Sequence, residues 1–280
     1  MLLVHAHPDD ETINNGATMA MYADLGVDVT LVMCTRGEEG EVLVPGLSHL
    51  ASSEMDKLGE HRITELSAAM KELGVGDFRF LGVEKIKFRD SGMMGTEANN
   101  RPDVFWKADL EGAVKLLVDV IHEVKPHVLI TYDENGGYGH PDHIQAHRVA
   151  MRAAEIADKW KISKIYWNAI PKSVVEESIK ALKDTGTSFV GAESAEDIPF
   201  AKDDALVTAV VNGTEYVDRK MAAMRAHETQ IALDGPFFAL SNNLGNQVWG
   251  NEYYTLVSGS AADPFDKDGR EVDLFAGIAP

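Results

Sequence analysis

A group of imidazole and carboxylate side chains stands almost at the start of the sequence. Residues 5–11 read His-Ala-His-Pro-Asp-Asp-Glu and follow the apolar run Leu2-Leu3-Val4. An apolar run of this kind predicts a strand, and open parallel sheets bind ligands just beyond the carboxyl ends of their strands. His7, Asp9 and Asp10 are therefore candidates for metal binding or for general acid–base chemistry.

A second group of the same kind follows a later apolar run. It reads Asp133-Glu134-Asn135-Gly136-Gly137-Tyr138-Gly139-His140-Pro141-Asp142-His143. Because Pro141 suits the first turn of a helix, His140 and His143, three residues apart, can point from the helix start toward one place. The positive end of the helix dipole lies there as well.

The mixture of imidazole and carboxylate favours zinc over calcium. Zinc takes both donor types in a tetrahedral site, and three protein ligands with one water make a hydrolytic site. An EF-hand loop beginning at Asp133 is excluded, because its sixth position would be Tyr138 and its twelfth Ile144. Chemistry alone leaves the choice of three ligands open among His5, His7, Asp9, Asp10, His140, His143 and His147.

Strands that end at one edge of a sheet would bring these groups together. Short β-branched and apolar runs predict strands at Leu2-Val4, Val27-Cys34, Phe78-Leu81, His127-Tyr132 and Ile162-Tyr166. Apolar residues at three- and four-residue spacing predict helices at Asn14-Leu25, Ser52-Leu73, Lys107-Val124 and Pro141-Trp160. Repeated βα units indicate an α/β fold, a Rossmann-like and mostly parallel sheet flanked by helices.

The pattern changes after about residue 171. There the sequence predicts a helix at Lys172-Lys183, a strand at Ala205-Val211, a helix at Glu215-His227 and a strand at Tyr253-Val257. We interpret residues 1–170 as a Rossmann-like, metal-binding catalytic domain. Residues 171–280 are interpreted as a smaller α+β lobe that helps to close the active site.

The composition limits the classes of partner. A formal net charge of −19 over 280 residues disfavours nucleic acid, because nucleic-acid binders neutralise phosphates with clustered Lys and Arg. No run approaches the roughly 18 apolar residues of a spanning helix, and no signal-peptide core is present, so we expect no membrane partner. A single cysteine, Cys34, agrees with the cytoplasmic location that we expect. The oligomeric state stays open.

Three common functional motifs are missing from the sequence. No G-x-G-x-x-G follows the first predicted strand, and the Gly-Lys dipeptide of a P-loop never occurs. The nucleophile elbow of serine hydrolases is also missing, since Gly46-Leu47-Ser48 continues with His49 and Leu50. Phosphate cradling by a P-loop and serine nucleophile chemistry are both disfavoured.

The two histidine motifs resemble a known family. His-Pro-Asp-Asp-Glu at 7–11 and Gly-His-Pro-Asp-His at 139–143 are similar to the LmbE-like family of zinc-dependent N-acetylglucosaminyl deacetylases. Further similarity, which extends over most of the chain, lies in Thr35-Arg36-Gly37-Glu38-Glu39-Gly40-Glu41-Val42, His61-Arg62-Ile63, Arg89-Asp90-Ser91-Gly92-Met93, Thr131 to His143 and Leu240-Ser241-Asn242-Asn243. These segments most resemble the branch that deacetylates N-acetyl-glucosaminyl-inositol in mycothiol biosynthesis. The resemblance implies a small amino-sugar substrate.

The resemblance also implies a role for each motif residue. Its metal ligands correspond to His7, Asp10 and His143, and the ion would be Zn²⁺, although imidazole and carboxylate accept Fe²⁺ equally. Asp9 corresponds to the general base. His140 would stabilise the oxyanion or protonate the amine, with Asp142 orienting it and raising its pKa. Tyr138 would hydrogen-bond the carbonyl or the oxyanion.

Substrate contacts follow from the same resemblance. Arg62 and Asp90 match residues that contact the glucosamine hydroxyls, and Glu41 is a weaker candidate. For Gln230 and Asn243, in the C-terminal lobe, we prefer an ordinary structural role. Two alternatives to the deacetylase remain, namely a mycothiol S-conjugate amidase and a metal- or sugar-binding module without turnover.

Overall fold

A mixed sheet runs through the described residues, which are 1–83, 86–183, 191–235 and 250–279 of the computed structural model. The strands are β1 (Leu2–His5), β2 (Thr30–Met33), β3 (Asp77–Phe80), β4 (Gly82–Val83), β5 (Ile86–Lys87), β6 (Val128–Thr131), β7 (Lys164–Pro171), β8 (Ala201–Lys202), β9 (Ala209–Asn212) and β10 (Asn251–Ser258). The strand order in the main sheet is β3-β2-β1-β6-β7-β10-β9, with β8 beside β7, while β4 and β5 form a separate antiparallel pair. Strands β1, β2, β3, β6 and β7 are parallel, and β10 is antiparallel to both β7 and β9.

Helices cover both faces of the sheet. They are α1 (Asp10–Asp24), α2 (Leu58–Leu73), α3 (Leu110–Val124), the single turn α4 (Gly136–Gly139), α5 (Pro141–Ile156), α6 (Lys172–Lys183) and α7 (Val217–Ala226). Helices α1, α2 and α7 pack together on one face, and α3 packs against α5 on the other. Among the described residues, none of the helices combines the length and the apolar composition that a membrane-spanning helix needs.

Alternate side chains of the parallel strands fill two separate cores. Leu3 and Ile130 pack with helices α1 and α2, whereas Leu2 and Leu129 pack with α3 and α5. All four side chains are fully buried. Burial on both faces explains why these strands read in the sequence as continuous apolar runs.

The parallel register brings the polar turns to one edge of the sheet. His5 of β1 pairs with Met33 of β2, and Leu3 pairs with Ile130 of β6. The segments that follow these three strands therefore leave the sheet side by side. They contain the two histidine groups and the acidic loop that begins at Thr35.

The predicted α/β architecture is confirmed, and the differences lie at the ends of elements. The helix predicted from Ser52 begins at Leu58, because a 3₁₀ helix at Pro45–Leu50 and a following turn precede it. The strand predicted from Ala205 begins at Ala209, after a further 3₁₀ turn. Strands β9 and β10 extend the main sheet beside β7. The division at residue 170 stays a prediction.

A buried carboxylate links strand β10 to helices α1 and α7. Glu252 accepts hydrogen bonds from the backbone N–H groups of Ala17 (3.0 Å) and Thr18 (2.7 Å) in α1. Lys220 of α7 donates to the same carboxylate at 2.7 Å, and both charged side chains are almost fully buried. A buried pair of this kind fixes the positions of α1 and α7 only while both charged partners are present.

We expect Glu252→Ala to lower the free energy of unfolding by about 3–5 kcal/mol, because it removes a buried carboxylate that accepts from Lys220 and from two backbone N–H groups of α1. Urea denaturation would measure the loss. Glu60→Ala is the control, since Glu60 pairs with Lys57 on the exposed surface, where such pairs contribute at most about 1 kcal/mol. Equal losses in the two variants would contradict the importance of the buried pair.

Candidate active site

The two histidine groups meet at the carboxyl edge of the sheet. The ligand atoms of His7, His140 and His143 lie within 4.8 Å of one another, and all three side chains are buried. Asp10 Oδ2 lies 3.4 Å from His7 Nδ1 and 3.4 Å from His143 Nε2. Residues separated by more than 130 positions in the sequence therefore share one pocket of nitrogen and carboxylate donors.

His143 is oriented so that one ring nitrogen faces this pocket. Its Nδ1 is 3.1 Å from the carbonyl oxygen of Gly136 and must donate to it, which assigns the proton to Nδ1 and leaves Nε2 with a free lone pair. Within the described part of the chain, the buried Nε2 makes no hydrogen bond. An imidazole that is held by a carbonyl on one side, and that faces a carboxylate without a hydrogen bond on the other, fits a metal ligand.

Three carboxylates surround His7. Its Nε2 lies 3.2 Å from Asp142 Oδ2 and 3.5 Å from Asp90 Oδ1, while Nδ1 faces Asp10. Although burial lowers it, the pKa of His7 is raised well above its usual value by Asp90, Asp10 and Asp142. The pocket thus concentrates negative charge, which favours a bound cation.

Asp9 adopts a backbone conformation that is rare outside glycine. Its φ is 121° and its ψ is −36°. Two contacts hold it there: Asp9 N donates to Glu11 Oε2 at 2.9 Å, and the Arg62 guanidinium lies 3.0 Å from Asp9 Oδ2. Arg62 also donates to the carbonyls of Pro8 and Gly37. Glu11 and Arg62 therefore hold both the backbone and the side chain of the Asp9 turn in place.

Glu11 forms a buried pair with a residue far along the chain. Its Oε1 lies 2.9 Å from His227 Nε2, and neither side chain is exposed to solvent. Burial acts against both charges, yet mutual attraction raises the pKa of His227 and lowers the pKa of Glu11. We conclude that the segment after α7 supports the Asp9 turn through Glu11.

The adjacent acids Asp9 and Asp10 have opposite pKa shifts. Burial raises the pKa of Asp9 to about 6, against the opposing effect of Arg62. For Asp10 burial acts in the same direction, but His143 and His7 hold its pKa well below the usual value. Asp10 is therefore a permanent anion, whereas Asp9 can accept and release a proton near neutral pH.

His140 and Asp142 make contacts that differ from those expected. The Asp142 carboxylate accepts from the Ser91 hydroxyl, from Ser91 N (2.8 Å) and from His7, and only its backbone N–H reaches His140 Nδ1, at 3.1 Å. Because Nδ1 accepts this bond, the ring proton belongs on Nε2. Burial, followed by the charges of His7 and His143, lowers the pKa of His140 to about 3. The expectation of a raised pKa is not met in this structure.

Two tyrosines pack on the faces of His143. Tyr132 is stacked on the ring with the centroids 4.3 Å apart, and its hydroxyl donates to Asp10 Oδ2 at 2.8 Å. Tyr138 meets the same ring edge-on at 5.0 Å and is 44% exposed. Tyr132 therefore holds His143 and Asp10 in place from the buried side of the pocket, and Tyr138 lies at the opening of the pocket.

The expected substrate contacts are distributed unevenly. Arg62 is 2% exposed and its guanidinium contacts the Asp9 turn. Asp90 is 4% exposed and lies beside His7, so both side chains lie beneath the pocket in this structure. Glu41 is exposed, and its carbonyl accepts from Gln230 Nε2 at 3.1 Å. Asn243 lies outside the described residues. Contacts of these side chains with substrate stay predictions.

Four supporting residues were not identified from the sequence. Tyr132 was assigned only as the end of a strand, although its place directly before Asp133 at the sheet edge is a usable signal. Ser91 adjoins Asp90 within a stretch of family resemblance. For Glu11 the sequence predicts only an acid in the first turn of a helix, and for His227 only the end of a helix. No local pattern links those last two, because 216 positions separate them.

The chain resembles proteins of known type over nearly all of its length. A family model described as GlcNAc-PI de-N-acetylase matches residues 2–154. The 1D-myo-inositol 2-acetamido-2-deoxy-alpha-D-glucopyranoside deacetylase of Acidothermus cellulolyticus is 57% identical over 280 residues, 99% of this chain and 94% of that protein. The enzyme of the same name from Geodermatophilus obscurus is 57% identical over 290 residues, 99% and 97% of the two chains.

Similarity of fold extends to more distant proteins. The solved structure of N,N'-diacetylchitobiose deacetylase from Pyrococcus horikoshii superposes with a TM-score of 0.55 at 19% identity. The superposition covers 92% of this chain and 83% of the other. At that identity the likeness concerns the fold alone.

Gly136 provides a test of how the pocket is built. Its φ is +60°, and a Cβ there would lie 2.5 Å from His143 Cβ and 2.7 Å from Ile144 N. We expect Gly136→Ala to displace the carbonyl that orients His143 and to weaken Co²⁺ binding by about 10–100-fold, as measured by titration of the metal-free protein.

Gly139→Ala is the matched control for this substitution. Gly139 also has a positive φ, +89°, but nothing lies within 4 Å of its added Cβ. Backbone strain should cost both variants about 1–2 kcal/mol of unfolding free energy, and Gly136→Ala should lose more because of its close contacts. Only Gly136→Ala should lose metal affinity. Unchanged affinity in Gly136→Ala would show that the carbonyl does not orient a ligand.

Proposed function

Because the chain belongs to the GlcNAc-PI de-N-acetylase family, also called PIG-L or LmbE-like, we propose that it deacetylates N-acetyl-glucosaminyl-inositol. The products are glucosaminyl-inositol and acetate, and the reaction belongs to mycothiol biosynthesis. The substrate assignment is supported by relatives of that name that are 57% identical over almost the whole chain. The reaction class is supported by one observation: a buried ligand cluster directly beside Asp9, whose pKa is raised to about 6.

The metal site of this proposal consists of His7, Asp10 and His143. Among the described residues His143 Nε2 makes no hydrogen bond, and the Asp10 oxygen lies between this nitrogen and His7, which together make a donor set that fits Zn²⁺ or Fe²⁺. When bound, the ion would polarise the acetamide carbonyl and acidify a water molecule. Tyr132 and the Gly136 carbonyl keep the donors in place.

Asp9 acts as the general base. It removes a proton from the water that attacks the acetamide carbon, and it returns that proton to the nitrogen as the C–N bond breaks. A carboxyl group with a pKa near 6 suits both steps, because it is mostly ionised at neutral pH and still basic enough to take a proton. The Glu11 and Arg62 contacts hold it in position.

His140 and Tyr138 stabilise the negative oxygen that develops in the attack. Because Nδ1 of His140 accepts the Asp142 N–H, its Nε2–H is available as a neutral donor. Tyr138 adds a hydroxyl at the opening, on a loop in which Gly137 and Gly139 both have positive φ. Fixed donors of this kind contribute about 3–4 kcal/mol each to transition-state stabilisation.

We expect Asp9→Asn to lower kcat by about 10²–10⁴-fold, because it removes the general base, while metal content remains that of the unchanged protein. Acetate release and metal analysis of the same samples would test this. Near-normal turnover in Asp9→Asn would refute the assignment of Asp9 as the base.

A measurement of stability shows whether Asp9→Asn loses activity because the base is missing or because the protein unfolds. Folding raises the pKa of Asp9 from 3.8 to about 6. The free energy of unfolding therefore falls as the pH rises from about 4 to about 6, and it stays at the lower value at higher pH. Asp9→Asn removes this cost. At pH 7 the metal-free variant should therefore be at least as resistant to urea as the unchanged protein.

The substrate is tested by comparing two amides. Metal-free protein, and protein restored with Zn²⁺ or Fe²⁺, would be given N-acetyl-glucosaminyl-inositol or a mycothiol S-conjugate. We expect equal amounts of acetate and amine from the first, only after metal is restored, and a lower kcat/KM for the second. A higher kcat/KM for the conjugate would identify an amidase, and no turnover of either would indicate a binding module.

A further inference from the structure

A second cluster of ligand-type side chains lies outside the pocket described above. His61 and Glu65 stand four residues apart on α2, so both lie on the same face of that helix. Glu228 joins them from the segment that follows α7. One ligand atom from each residue lies within 4.8 Å of the other two, and His61 Nε2 is 3.6 Å from Glu65 Oε1. We call these three residues the α2 cluster.

The Nε2 atom of His61 is available to bind a metal ion. This nitrogen is buried, and among the residues that the structure describes it makes no hydrogen bond. Glu65 Oε1, at 3.6 Å, is too far away for a hydrogen bond, and a buried polar atom that lacks one costs about 1–3 kcal/mol, so its persistence calls for an explanation. Two carboxylates beside it are the neighbours that a bound cation would bring together.

Glu65 is held in a fixed orientation by the same segment that carries Glu228. Its Oε1 accepts from Thr229 N and its Oε2 from the Thr229 hydroxyl, both at 2.9 Å. These bonds leave each oxygen with a further lone pair. Oriented ligands need less ordering when an ion binds, which favours affinity.

We propose that the α2 cluster is a second divalent-cation site, selective for ions of the zinc type. One imidazole nitrogen and two carboxylate oxygens match zinc, with water completing the tetrahedron. The imidazole disfavours Mg²⁺ and Ca²⁺, which prefer oxygen ligands alone.

Such an ion would connect the two elements that hold the Asp9 turn. Next to His61 on α2 is Arg62, which contacts Asp9, and next to Glu228 is His227, which contacts Glu11. Binding at the α2 cluster would tie these elements together behind the active site. The binding claim itself does not depend on the proposed function.

The test is the number of ions bound per chain. Metal-free protein would be dialysed against Zn²⁺ at increasing concentration and its metal content measured. We expect two ions per unchanged chain and one for either His61→Asn or Glu228→Gln. His143→Ala, which removes a ligand of the proposed catalytic site, should keep the ion of the α2 cluster, so failure at one site is distinguishable from failure at the other.

His49→Asn and Glu60→Gln are the matched controls. Both residues are exposed, His49 on the 3₁₀ helix before α2 and Glu60 on α2 itself. Each control should bind two ions. The proposal is overturned if the unchanged chain binds only one ion, or if His61→Asn retains the second. As an independent readout, the His61 ring signals in NMR spectra should shift when Zn²⁺ is added to His143→Ala.

Discussion

The parallel pairing of β1 with β6 is the contact on which the active site depends. It sets two strands from distant parts of the sequence side by side and in the same direction, so the turns that follow them open at one edge. Asp10 comes from the first turn and His143 from the helix after the second. Helices on both faces keep the strands buried, and a shift of register by one residue would exchange the two cores and separate the donors.

Concentrated charge is the second organising feature. Four aspartates, Asp9, Asp10, Asp90 and Asp142, gather around His7 and Arg62, and their differing environments separate their behaviour. Against the effect of burial, the His143 and His7 rings lower the pKa of Asp10, and His7 lowers the pKa of Asp90, whereas burial raises the pKa of Asp9 and of Asp142. Residues of one chemical type thus acquire different tasks through burial and neighbours alone.

The sequence predicted the strands and the residues of the pocket better than it predicted the contacts that these residues make with one another. Apolar runs revealed the strands, and a histidine turn after a strand pointed to His7 and His143, because local patterns report local structure. The partner of Asp142 was not predictable, since Ser91 reaches it from a loop with no periodic pattern. Contact of Arg62 with substrate stays a prediction, whereas its three acceptors around the Asp9 turn were not predictable, because a long side chain can fold back into a core without any local signal.

The pair formed by Glu11 and His227 has a consequence for how this enzyme can diverge. The region that matches the family model, residues 2–154, contains Asp9 and every ligand of the proposed catalytic metal site, but not His227, which contacts Glu11. The catalytic metal ligands therefore all lie in the matched region, whereas the alignment of the base also depends on a residue beyond it. Relatives could vary the distal part and so adjust turnover number while their metal centre stays the same, which makes the two properties independently tunable.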